Sequence, residues 1–123
     1  MKAEERSLDD WLDDLLVMAE KIIAYTAEID YPVFLANEPV RDLVQKKIEN
    51  MGEATRYIRE LFPDFYDATP LPWRDIRRMR NRLTHGYFDV IEVVLWETAR
   101  DDIPSLLREL RRVIGAYRAG TER

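Results

Sequence analysis

Cysteine is absent from this 123-residue sequence, and histidine occurs once. The first absence removes disulfide frameworks, thiol nucleophiles and the usual cysteine-built zinc sites, and it is compatible with a reducing compartment. Long apolar runs are lacking as well. Stretches such as Trp11-Leu12-Asp13-Asp14-Leu15-Leu16 are broken by acids, and no basic-then-apolar leader opens the chain, so nothing reads as membrane-spanning. The expected setting is soluble and cytoplasmic, with no membrane partner. A surplus of positive charge is missing too. The formal net charge of -5 argues against broad, non-specific coating of nucleic acid, which depends on neutralising many phosphates. Any contact with a polyanion has to be local. Neither an internal repeat nor a low-complexity tract is present, and no segment carries a strand period worth assigning.

What remains is helical. With 46% hydrophobic side chains, residues 1–123 suffice for a single domain that buries its core without metal or disulfide staples. Ser7 followed by Asp9 and Asp10 signals a helix start, and Leu8, Leu12, Leu15, Ala19, Ile22, Thr26 and Ile29 then keep a 4-3 spacing up to Tyr31-Pro32. Val33-Phe34-Leu35 reads as one packed turn, and Asn37 as the cap of a second long helix with Pro39 near its first position. That helix runs from Val40 through Val44, Ile48, Met51, Thr55 and Ile58 to Phe62, pairing with the first as an antiparallel hairpin. Gly52 inside it marks close approach of another backbone. Residues 63–72, with three of the six prolines, predict an irregular connection. A third helix resumes at Trp73, with Ile76, Met79 and Leu83 on its apolar side and Gly86 as its C-terminal cap. Residues 90–117 predict further helix, broken or kinked at Asp101-Asp102-Ile103-Pro104, and residues 118–123 a frayed tail. The expected fold is an all-α antiparallel bundle of about four to five helices.

The chemistry concentrates in Arg80-Asn81-Arg82-Leu83-Thr84-His85-Gly86-Tyr87, which holds the lone histidine at the end of the densest arginine cluster, Arg74, Arg77, Arg78, Arg80 and Arg82. Histidine can both take and give a proton near neutral pH, and arginine presents a planar fork of donors suited to phosphate oxygens. The combination points to reaction at a phosphodiester. RNA carries its own nucleophile, the 2'-hydroxyl, so cleavage needs a base, an acid for the leaving 5'-oxygen and positive charge on the phosphate. One imidazole serves poorly as base and acid at once, and arginine stays protonated, so a symmetric dimer that joins two copies of the segment would complete the site. On a continuous helix Arg80 and His85 would lie about 7.5 Å apart along the axis and roughly 140° apart around it. The helix ending before His85, a long arginine reaching round, or a counterpart from the second chain would each reconcile them.

The same residues carry a resemblance. Arg80 to His85 matches the R-x4-H signature of HEPN ribonucleases, and its continuation to Tyr87 the R-x4-H-x-Y motif of HepT-like toxins. Met51-Gly52-Glu53-Ala54 is similar to the family's I-G-E-A segment, and Pro72-Trp73 to its P-W. Residues 79–88 resemble M-R-N-x-L-x-H-x-Y-F, while Trp96-Glu97-Thr98 and Asp102-Ile103-Pro104 resemble W-E-T and D-L-P. One departure is Ile91, where the family usually has an acid. The resemblance implies a HEPN-like homodimer, possible higher assembly with a partner aside, acting as a metal-independent RNase toxin. Arg80 and His85 would be catalytic, with Asn81 and the neighbouring Arg77 supporting the RNA. It further implies a MntA-like nucleotidyltransferase antitoxin that uses ATP and magnesium to place AMP on the motif tyrosine, here Tyr87. This chain itself would need no cofactor.

Blander readings stand beside these. His85 suits a helix C-terminus as a plain cation, Tyr87 an aromatic at the core edge, and Glu53 a solvated glutamate outside the catalytic set. The Asp9-Asp10 and Asp13-Asp14 pairs fit a helix start and a solvated face, so no metal is assigned. No second ligand pocket is suggested. A reading from another class is a non-catalytic helical subunit that docks a nucleotidyltransferase and presents its substrate.

Overall fold

The computed structural model describes residues 2–84 and 88–121, with side chains described over 2–83 and 92–120. His85, Gly86 and Tyr87 lie outside the described residues. Seven α-helices occur among those described: α1 (Leu8–Thr26), α2 (Tyr31–Ala36), α3 (Glu38–Leu61), α4 (Pro63–Ala68), α5 (Trp73–Thr84), α6 (Phe88–Glu97) and α7 (Ile103–Thr121). A 3-10 turn at Ala3–Glu5 precedes them, and a π-helical turn at Thr98–Asp102 joins α6 to α7. The expected all-α bundle is what forms.

Local chemistry accounts for the helix starts. Ser7 and Asp10 form a reciprocal capping box on α1, Asp30 caps α2 through Val33 N–H, and Asn37 caps α3 through Val40 N–H. Pro32, Pro39 and Pro63 each sit in a first turn, where the missing N–H has no intrahelical partner to lose. This corrects two expectations. Tyr31-Pro32 opens α2 and does not end α1, and the stretch expected to be irregular from residue 63 begins with the helix α4. The first helix is also shorter than its apolar spacing predicts, ending at Thr26, whose hydroxyl donates back to Ile22 O at 3.0 Å. Its carbonyl end is closed from far away: Arg100 donates to the buried Thr26 O at 2.8 Å while lying 5.2 Å from the Trp96 ring centroid.

Contacts between helix ends give the directions. Trp11, early in α1, stacks on Tyr57, late in α3, at 5.0 Å between centroids, so these two helices run antiparallel. Arg118, late in α7, donates to Asp9 and Asp13 early in α1, which sets α7 antiparallel to α1. Within the stretch expected to fray, helix continues to Thr121, and Arg118 is held by these two ion pairs. Of the break or kink expected at Asp101-Asp102-Ile103-Pro104, the break does not occur. Pro104 cannot donate to the carbonyl four residues back, and its ring would crowd it. The chain widens by one residue instead, Ile103 N–H bonding Thr98 O, while Glu97 and Ile103 keep right-handed helical angles.

The core runs between α1, α3, α5, α6 and α7, where Leu12, Leu15, Ile22, Ile48, Ile58, Ile76, Leu95, Ile103 and Leu110 are all but fully buried. Truncating such a residue to alanine costs about 2–5 kcal/mol. Leu95 confirms that α6 is helix despite its β-branched run: burial against the bundle overrides strand propensity. No helix among the described residues is long and apolar enough to cross a membrane.

Candidate active site between α3 and α5

The amino-terminal end of α5 is fixed by its aromatic anchor. Trp73 is buried, its indole N–H donating to Tyr66 O at 3.1 Å and Thr69 O at 3.2 Å, and its ring stacks on Tyr66 at 4.7 Å. Trp73, Ile76, Met79 and Leu83 then face the core, which leaves Arg74, Arg77, Arg78, Arg80, Asn81 and Arg82 exposed on the remaining surface. Helical geometry alone thus presents a row of guanidinium groups once one stripe is buried.

Gly52 of α3 decides where one of them goes. It is buried, and a Cβ built on it would collide with Cδ of Arg80 and stand 3.2 Å from Cγ and 3.3 Å from Cβ of the same side chain. The stem of Arg80 therefore crosses α3 at the one point in this stretch where α3 carries no side chain. A close approach at Gly52 was expected, but of another backbone; the structure places a side chain there instead.

Beside this crossing is a cleft of about 160 Å³, to which α3 contributes Thr55, Arg56 and Arg59, and α5 contributes Arg77, Arg80 and Asn81. Tyr66 of α4 also lines it. The site residues expected from sequence within the described region, Arg77, Arg80 and Asn81, are thus brought together. The others, His85 and Tyr87, lie outside the described residues. Arg56 and Arg59 went unremarked in the sequence. A signal existed: Gly52, Thr55, Arg56 and Arg59 follow the i, i+3, i+4, i+7 spacing of a single helix face.

Arg56 is held by its surroundings. It pairs with Glu53, donates to both carboxylate oxygens of Glu60 at 3.1 Å, and lies 4.4 Å from the Tyr57 ring centroid. Tyr57 rests on Trp11, over which Arg6 lies in turn at 4.1 Å, making a stack of guanidinium, indole, phenol and guanidinium from α1 to α3. The bond from Arg56 holds the Glu53 carboxyl below its ordinary range, with the charge of Arg80 adding to the effect. Glu53 is thus both half-exposed to solvent, as expected of a solvated glutamate, and ion-paired, its partner being Arg56 of its own helix.

The acid pairs of α1 also have assigned work. Asp10 completes the capping box, Asp14 accepts from Arg6 at 2.6 Å, and Asp9 and Asp13 receive Arg118. Among the described residues no group of three or more histidine, cysteine or acidic side chains is placed to hold a metal ion. The sequence suggested no second pocket, yet a larger hollow of about 380 Å³ lies on the other flank of α5, floored by Met79 and Leu106. Its rim mixes Arg78 and Arg82 with Asp75, Asp102 and Glu109, and Arg82 is 3.9 Å from Asp102. Opposed charges there cancel, whereas the α3/α5 cleft is lined by arginines and neutral polar groups.

Residues 15–113 match the family described as ribonuclease HepT-like. The chain belongs to that family. It is 34% identical over 110 residues to a candidate RNase of Methanocaldococcus jannaschii, covering 89% of this chain and 98% of that protein. A protein of Thermococcus cleftensis named as a probable ribonuclease HepT is 38% identical over 102 residues, 83% of this chain and 91% of its own length. A candidate RNase of Caldanaerobacter subterraneus is 26% identical over 104 residues, 85% of this chain and 91% of that protein. No solved structure matches. For a HepT-like chain the exposed guanidinium row is placed where a polyanionic substrate can reach it.

Proposed function

We propose that the chain is a metal-independent endoribonuclease toxin whose active site assembles across a homodimer, each copy contributing Arg80 and His85. The observation that carries this reading is the seating of Arg80 over Gly52, within an arginine-lined cleft, five residues before the only histidine. Membership of a ribonuclease family supports RNA as the substrate.

In the proposed reaction a His85 imidazole takes the proton of the 2'-hydroxyl as that oxygen attacks phosphorus. The bond to the 5'-oxygen breaks, and the second copy's protonated imidazole gives its proton to the leaving oxygen. The products are a 2',3'-cyclic phosphate and a free 5'-hydroxyl. Arg80 stabilises the charge gathering on the non-bridging oxygens, for which its always-charged planar fork is suited, while Arg77 and Asn81 hold the strand. No metal or other cofactor is required by this chain, because the nucleophile comes with the substrate. A MntA-like nucleotidyltransferase silences the enzyme by transferring AMP from ATP to the Tyr87 hydroxyl, with pyrophosphate leaving. The adenylate sets negative charge and bulk two residues from His85, opposing the approach of an RNA phosphate.

The deciding experiment is incubation of purified protein with RNA in the presence of a chelator, beside the His85→Ala variant. Cleavage by wild type alone, at equal dimer content and helicity, supports the assignment. Equal cleavage by both proteins would refute it, and no cleavage by either would favour a docking subunit for the nucleotidyltransferase.

A further inference from the structure

Two groups of arginines stand apart among the described residues. Seven of those described form ion pairs: Arg6, Arg41, Arg56, Arg82, Arg111, Arg112 and Arg118. Arg59, Arg74, Arg77 and Arg78 make neither an ion pair nor a hydrogen bond among the described residues. In a chain with 24 acids against 19 basic residues, leaving these four without carboxylates is not for want of partners.

Arg59 and Arg77 belong together although α3 and α5 supply them separately, since both line the cleft beside Arg80. The nearest acids on α3 are withdrawn from it. Glu53 and Glu60 both bind Arg56, which is anchored over Tyr57. The cleft therefore concentrates positive charge with its local counter-charges already committed. Its volume, about 160 Å³, is well below the roughly 300–1,000 Å³ of pockets for drug-sized ligands. It suits one small anion, not a nucleoside.

We infer that the α3/α5 cleft is a subsite for one phosphodiester flanking the scissile linkage, gripped by Arg59 and Arg77 from opposite walls. This rests on the reading of the chain as a ribonuclease that uses Arg80 at the scissile phosphate. The subsite makes the substrate a strand rather than a dinucleotide: a second phosphate, beyond the one being cut, docks in the cleft and holds the backbone in register. Because phosphate carries no sequence information, the contact sets position and length preference rather than base choice.

The test uses full-length protein and two RNAs, a dinucleotide with one phosphodiester and a hexanucleotide. Wild type is expected to show kcat/KM at least about 10-fold higher on the hexanucleotide, consistent with a lost charged contact being worth a factor of ten or more. In Arg59→Ala that ratio falls towards one through a rise in KM, and Arg59→Lys recovers part of it. Arg108→Ala, on an exposed position of α7, keeps the wild-type ratio. Binding of the hexanucleotide is measured in parallel in a His85→Ala background across salt concentrations. Removing Arg59 there should lower the slope of log affinity against log salt by about 0.7, the contribution of one phosphate on a single strand. An Arg59→Ala protein that keeps both the length ratio and the salt slope overturns the subsite. If wild type cuts neither RNA, the ribonuclease reading falls and with it the place of the subsite beside a scissile linkage; the salt slope then decides only whether Arg59 meets a phosphate.

Discussion

The α1/α7 face and the α3/α5 face are both rich in charge, but they use it in opposite ways. Between α1 and α7, arginines meet carboxylates: Arg118 with Asp9 and Asp13, Arg111 with Glu20. Across α3 and α5, Arg59, Arg74, Arg77 and Arg78 meet none among the described residues. The first arrangement joins chain ends across the bundle and adds modestly to stability, as exposed ion pairs do. The second contributes repulsion, which a fold tolerates when something outside the chain relieves it. Surface charge in this molecule thus divides into a part that ties helices of the bundle together and a part that meets no carboxylate among the described residues.

Substitutions should separate the two faces. The largest effect is expected from Arg80→Ala, which should lower RNA cleavage by on the order of 10²–10³-fold, the usual cost of removing one transition-state charge contact, with little change in melting temperature. Loss of helicity instead of loss of turnover would erase the distinction between the faces. Next comes Gly52→Ala. The alanine Cβ would meet Cδ, Cγ and Cβ of Arg80, atoms too near the backbone to swing away freely. Displacing the guanidinium by about 1 Å can cost up to roughly 100-fold in rate. Alanine also favours helix over glycine by about 1 kcal/mol, so stability should hold or rise while activity falls. Denaturant melts and single-turnover rates on the same samples read both.

Arg118→Ala probes the other face and should do the reverse. Losing its bonds to Asp9 and Asp13 is expected to lower stability by about 1 kcal/mol or less, with cleavage unchanged. A fall in turnover would mean that the α1/α7 face is not merely structural. The smallest effect concerns acid. Glu53 and Glu109 both have folded-state pKa values held below the ordinary 4.5, first by bonds from Arg56 and Arg112 respectively. Depressed values mean that each contributes stability fully present above about 4.5 and lost as pH falls through the folded value. Both groups are exposed enough that the loss is slight. Glu53 also feels Arg80, so carboxyl titration by NMR should move Glu53 upward in Arg80→Ala and leave Glu109 where it was.

Much of this was legible beforehand, and the failures have physical causes. Capping at Ser7 and Asn37 was readable because a side-chain acceptor and the N–H it serves lie three residues apart. The apolar stripe of α5 was readable because burial follows the helical period. Prolines misled. Pro63 reads as opening an irregular stretch, yet it starts α4, and the break or kink read at Pro104 is a single wide turn within continuous helix. The end of the chain was assigned to fraying because nothing local holds it; Arg118 is held by acids more than 100 residues earlier.

By itself the sequence determined an all-helical chain with a histidine beside an arginine row, since helix period, caps and motif spacing are properties of neighbouring residues. Only the tertiary structure decided which arginines are neutralised and which remain charged towards solvent. That choice depends on the register and rotation with which distant helices pack, and a guanidinium a few ångströms nearer to a carboxylate changes its role without any change in its own surroundings along the chain. Gly52 shows the same division: its identity is written in the sequence, but that its missing side chain makes room for Arg80 follows from where α5 crosses α3.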